Sequence, residues 1–83
     1  MMRLKIKEVA QAKGVSMRKL SIEGHLAYKT VKEIWRDPYH EVTSTTLNKV
    51  AKYLGVAIAD LYEDVSEEVA NREMATRKEA EKD

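Results

Sequence analysis

Apolar positions recur at helical spacing in successive stretches of the chain, and turn-forming residues separate them. The first stretch puts Ile6, Val9 and Ala10 on one side, with Lys13 as an amphipathic rim, and Gly14 ends it. Val15 and Ser16 open a second helix. Ser16 is a cap for its free amides, Leu20 faces inward, and Ser21 is small where two helices approach closely. Gly24-His25 forms the next turn, since glycine reaches positive φ freely and histidine is enriched there. A third helix is predicted from Tyr28 to Arg36, with Val31 and Ile34 turned to the core and Asp37-Pro38 as its stop. After a polar connection, Thr43 or Ser44 caps a fourth helix. Its Leu47, Val50, Ala51 and Leu54 give the cleanest i, i+3, i+4, i+7 pattern, and Gly55 closes it. Ala57 begins a short fifth helix with Ile58, Leu61 and Tyr62 as its apolar side. Beyond Val65 the pattern fades to little more than Val69 and Met74. Asp64-Val65-Ser66-Glu67 resembles a capping box, so a further helix is expected there, either an extension that pairs with another chain or a fraying tail. No strand pattern and no internal repeat is found. The fold reading is all-α: a compact bundle of five short helices over residues 1–65, then a charged C-terminal segment over 66–83, helical or disordered.

Composition narrows the function without naming it. Hydrophobic residues make up 43% of the 83 positions and charged residues 35%, the balance of one small soluble domain. No apolar run approaches the ~20 residues needed to span a bilayer. The mixed charge of Arg3, Lys5 and Lys7 among the first residues does not read as a signal peptide, so a cytoplasmic protein is expected. Cysteine is absent, which excludes disulfides, thiolate metal sites and thiol nucleophiles. The net charge of +1 hides an asymmetry: residues 1–40 carry nine basic side chains against four acidic ones, whereas 41–65 and 66–83 are each acidic by two. A basic front half suits a polyanion, and an acidic back half is repelled by one.

Residues 16–35 carry the sharpest signal. They read as two short helices joined by a tight turn, the second lined with polar and basic residues, which is how a helix-turn-helix looks when one helix enters the major groove of DNA. From Leu4 to Glu63 the chain resembles the Cro/phage-repressor (XRE) type of helix-turn-helix domain. The resemblance rests on Lys13-Gly14-Val15-Ser16, on Leu20 with Ser21, and on Leu26 after the turn. It continues through the Val31/Ile34 pair and the ending Leu47 … Val50-Ala51-Lys52-Tyr53-Leu54-Gly55-Val56 … Asp60-Leu61. The chain departs from the family pattern in three places. Met17 stands where the family usually has a phosphate-bracing glutamine. The turn glycine is shifted, with Gly24 preceding His25. Trp35-Arg36-Asp37 replaces the frequent Glu-Asn-Gly.

The resemblance implies a DNA-binding transcriptional regulator, not an enzyme, acting as a repressor and as a homodimer on a palindromic site. By position it points to Tyr28, Lys29, Lys32 and Glu33 as base contacts. Burial of Val31 and Ile34 independently sends Lys29, Lys32 and Glu33 to the solvent side. Lysine donates to guanine O6 or N7, glutamate accepts from cytosine N4, and tyrosine meets a thymine methyl or a phosphate. The plain alternative is a charged surface helix with a Lys29–Glu33 i,i+4 pair. Arg18, Lys19, Thr30 and Arg36 are candidate phosphate contacts. Thr30 equally fits a partly buried place, and Arg36 equally fits pairing with Asp37 or covering Trp35, itself read as packing. Ile58, Tyr62, Val65 and Val69 are candidates for the dimer surface, whereas Leu61 is expected to close the core. His25 and His40 read as turn residues rather than metal ligands, and no cofactor is implied. A different class of function fits the same fold: an adaptor or antitoxin that takes a protein partner through residues 66–83.

Overall fold

A short strand, β1 (Met2–Leu4), precedes the first helix, α1 (Ile6–Ala12). In this computed structural model residues 1–81 are described, with side chains through residue 76. α2 (Met17–Glu23) starts as expected at Ser16, whose Oγ accepts the Lys19 N–H at 3.2 Å. α3 spans Tyr28–Arg36, the range read from the sequence, with Val31 and Ile34 buried. α4 (Ser44–Leu54) is capped by Thr43, whose Oγ1 accepts the Thr46 N–H at 3.2 Å. It ends where Gly55 turns left-handed at φ 69°, a conformation that costs glycine nothing sterically.

One core joins these elements. Ile6 and Ala10 of α1, Leu20 of α2, Val31 and Ile34 of α3, and Leu47, Val50, Ala51 and Leu54 of α4 are all buried. Leu61 is fully buried, as expected, and Leu4 caps the same core from β1. Trp35 packs against this core, half-buried, in agreement with its reading as a packing residue.

After α4 the structure departs from the sequence reading. The expected fifth helix from Ala57 is a single 3₁₀ turn, Ile58–Leu61, whose start is held by the Ala57 N–H donating to Asp60 Oδ2 at 3.3 Å. Tyr62 lies outside it and opens a second strand, β2 (Tyr62–Asp64), antiparallel to β1. The register pairs Met2 with Asp64, Arg3 with Glu63 and Leu4 with Tyr62. Bonds from Lys5 N–H to Leu61 C=O (2.7 Å) and from Val65 N–H to Met1 C=O (2.8 Å) extend the ladder at both ends. The physical reason is tertiary. A lone 3₁₀ turn leaves the chain extended, and β1 satisfies its backbone groups, which no local pattern announces.

The C-terminal segment is helical as α5 (Glu67–Glu81). Its cap is Ser66, whose Oγ accepts the Val69 N–H at 3.2 Å. Asp64, read as part of a capping box, instead accepts from the N-terminal ammonium at 2.8 Å, which holds its carboxyl below the usual carboxylate range. Ala70 is fully buried, and Glu73 is engaged by two residues from the body. Arg3 Nε donates to the Glu73 carboxylate at 3.2 Å and the Tyr39 hydroxyl donates to it at 3.0 Å. The last two residues of the charged segment lie outside the described residues.

Candidate nucleic-acid interface

The local geometry of α2 and α3 begins at the turn between them. Leu26 N–H donates to Ser21 C=O at 3.0 Å, and Ser21 Oγ–H donates to Leu26 C=O at 2.7 Å. Ser21 is therefore small and polar for a reason: it is buried and ties both sides of the turn. Of the two turn residues Gly24 and His25, the positive φ falls on His25, at 57°, while Gly24 stays at −83°. Gly24 is needed for space. A Cβ there would lie 2.4 Å from the Leu20 carbonyl oxygen.

α4 braces the turn from the far side. Lys49 Nζ donates to the His25 carbonyl at 3.3 Å, and the Tyr53 hydroxyl donates to the Glu23 carboxylate. That contact raises the Tyr53 phenol above its ordinary value. Neither Lys49 nor Tyr53 was singled out from the sequence, because both act through contacts remote along the chain.

On this frame α3 presents Tyr28, Lys29, Lys32 and Arg36 to solvent, on the side away from Val31 and Ile34. Arg18 and Lys19 are exposed on α2, and Thr30 is half-buried. The basic candidates of both helices are thus exposed to solvent. Glu33 sits half-buried at the flank of that face. Its carboxylate meets His40 Nε2 at 3.2 Å, not Lys29 as the i,i+4 spacing suggested. Among the described residues Lys29 has no ion-pair partner.

One exposed residue escaped the sequence reading. Ile22, 64% exposed, lines a cleft between α2 and α3 with Arg18, Ser21 and Tyr28. Its place on the outer side of α2 follows from the helical phase of Leu20 and Ser21, so that signal was present. Of the other candidates, Ile58, Tyr62 and Val69 are exposed and Val65 is half-buried. They occur on the 3₁₀ turn, β2, the segment that follows it and the first turn of α5.

A concavity of about 550 Å³ between α1, α3 and α5 contains the acids Glu8 and Glu73, both already bonded to Arg3. Among the described residues no cluster of three or more His, Asp or Glu is set to hold a metal ion, and no helix is long and apolar enough to cross a membrane. The family model that matches the chain is described as a Cro/C1-type HTH DNA-binding domain and covers residues 5–67. A search of curated proteins finds no match to the chain.

Proposed function

The chain belongs to the Cro/C1-type HTH DNA-binding domain family, and from that membership we propose a sequence-specific transcriptional repressor that inserts α3 into the major groove of a double-stranded operator. The observation that carries this reading is the outward face of α3, with Tyr28, Lys29 and Lys32 opposite the buried Val31 and Ile34. Tyr28, Lys29, Lys32 and Glu33 read base edges. Arg18, Lys19, Thr30 and Arg36 hold phosphates and set the register. Residues 1–65 form the DNA-binding domain and 66–83 an extension to it, and the protein acts in the cytoplasm at the nucleoid.

One recognition helix reads only a few base pairs, so a twofold dimer on a palindrome supplies the needed specificity. Ile58, Tyr62, Val65 and Val69 form its contact. Support for this comes from the apolar surface that Ile58, Tyr62 and Val69 expose and Val65 leaves half-buried. Repression follows from occupancy alone: a bound dimer obstructs other proteins on the same DNA. No catalytic step is required.

Selection from random duplex DNA with purified protein tests the reading, followed by binding to a library of single-base variants. Lys29→Ala and Glu33→Ala change which bases are preferred, with about 1–3 kcal/mol of discrimination lost at particular positions. Arg18→Ala weakens all sequences alike and reduces the salt slope by about one. For the wild-type dimer, log K falls with log salt with a slope of roughly −4 to −8. A flat salt response overturns DNA binding. A change of base preference confined to Arg18→Ala overturns the assignment of the two helices.

A further inference from the structure

Glu33 is the one acidic residue among the proposed base contacts, and the group that meets its carboxylate lies outside its helix. His40 Nε2 stands 3.2 Å from Glu33 Oε2. His40 is itself fixed by the turn that follows α3. Its N–H donates to the Asp37 carbonyl at 3.1 Å, and the neighbouring Tyr39 N–H donates to Asp37 Oδ1 at 2.9 Å. Pro38 C=O accepts the Leu4 N–H at 2.6 Å, which ties the turn to β1. The imidazole therefore approaches Glu33 from a built support.

Both side chains are partly exposed, 35% for His40 and 43% for Glu33. A pair so open to water adds little to folding stability. Its consequence is positional. An unrestrained glutamate on a helix flank samples several rotamers, and the phosphates of a bound duplex repel it. The imidazole Nε2, in contact with one carboxylate oxygen at 3.2 Å, favours one rotamer. It leaves Oε1, which has no partner among the described residues, as a directed acceptor. The base edge that complements such an acceptor in the major groove is the cytosine N4 amino group.

We propose that His40 is a positioning residue for sequence reading: it holds one oxygen of Glu33 so that the other is presented to a cytosine amino group. The inference rests on the reading above that α3 enters the major groove. His40 does not touch the base in this scheme, and its effect passes through Glu33.

The test compares the full-length wild type, Glu33→Gln, His40→Ala and His40→Gln on every single-base variant of the selected site. Wild type prefers cytosine at one position by about tenfold. Glu33→Gln loses that preference. His40→Ala loses most of it at the same position, keeps the preferences elsewhere and melts at the wild-type temperature. His40→Gln, which retains a side-chain N–H donor, restores a good part of it. If Glu33→Gln loses the preference and His40→Ala keeps it in full, the inference is overturned and the proposed function stands. If Glu33→Gln leaves the whole profile intact, Glu33 reads no base and the inference goes with that assignment. If selection returns no site at all, both are overturned.

Discussion

His25 and Gly24 divide between them the two demands that a tight turn makes on a chain. His25 takes the left-handed backbone at φ 57°, and Gly24 takes the place where a Cβ would collide with the Leu20 carbonyl. Their substitutions consequently have opposite signs. Gly24→Ala forces backbone apart and is expected to destabilise by about 1–3 kcal/mol, the range for overpacking. His25→Gly removes a left-handed cost of about 1–2 kcal/mol. It returns roughly 0.5–1 kcal/mol of that as chain entropy, so a small net gain is expected. Denaturant unfolding of the two variants checks both signs. Tyr39 offers a pH test at the same scale. Burial pushes its phenol up, and donation to Glu73 adds to the rise. Because the folded value lies above the unfolded one near 10, the stabilisation is present below about pH 10 and is lost as pH rises through the folded value. In an alkaline absorbance titration, Tyr39→Phe removes a late-ionising phenol.

α5 shows how much of an element depends on a few anchors. Its cap at Ser66, the buried Ala70 and the Glu73 contacts hold it at the body. Arg3 is the hub, bonded to Glu8 as well as Glu73, and these partners raise its pKa further. Glu73→Ala is expected to speed amide exchange over residues 67–76 while leaving α1–α4 protected. Its cost to global stability is about 1 kcal/mol or less, since the pair is partly solvated. The sequence made α1–α4 legible because each carries its own local signals: Ser16 and Thr43 as caps, Gly55 as a stop, Val31 and Ile34 in phase. β1 and β2 were illegible because three-residue strands show no periodicity and their partners lie about sixty positions apart. The Ile58, Leu61, Tyr62 spacing fits a helix as well as a 3₁₀ turn followed by a strand. Only the presence of Met2–Leu4 decides between them. The basic face of α3 could likewise be read in advance. The braces from His40, Lys49 and Tyr53 could not, because each joins parts of the chain that no short window contains.

For the molecule as a whole, one small core among the described residues carries α1, α2, α3 and α4. Ile34→Ala is expected to cost about 2–5 kcal/mol. Set against a total of roughly 5–10 kcal/mol for a domain of this size, that loss removes a large share of the stability and lowers the melting temperature. A melting curve unchanged by Ile34→Ala would mean that α3 docks by another face. DNA binding falls with the folded fraction, without any outward residue being touched.

The pairing of β1 with β2 also sets a calendar for the protein's synthesis. Leu4 leaves the ribosome well before Tyr62, its partner in the ladder, because the two lie far apart along the chain. The helices are too short to be stable alone in water, and the floor that Leu4 and Leu61 give the core is laid only when the 3₁₀ turn and β2 have been made. A nascent chain halted before residue 61 already contains every side chain assigned here to reading DNA. It lacks the closure that would hold them in place.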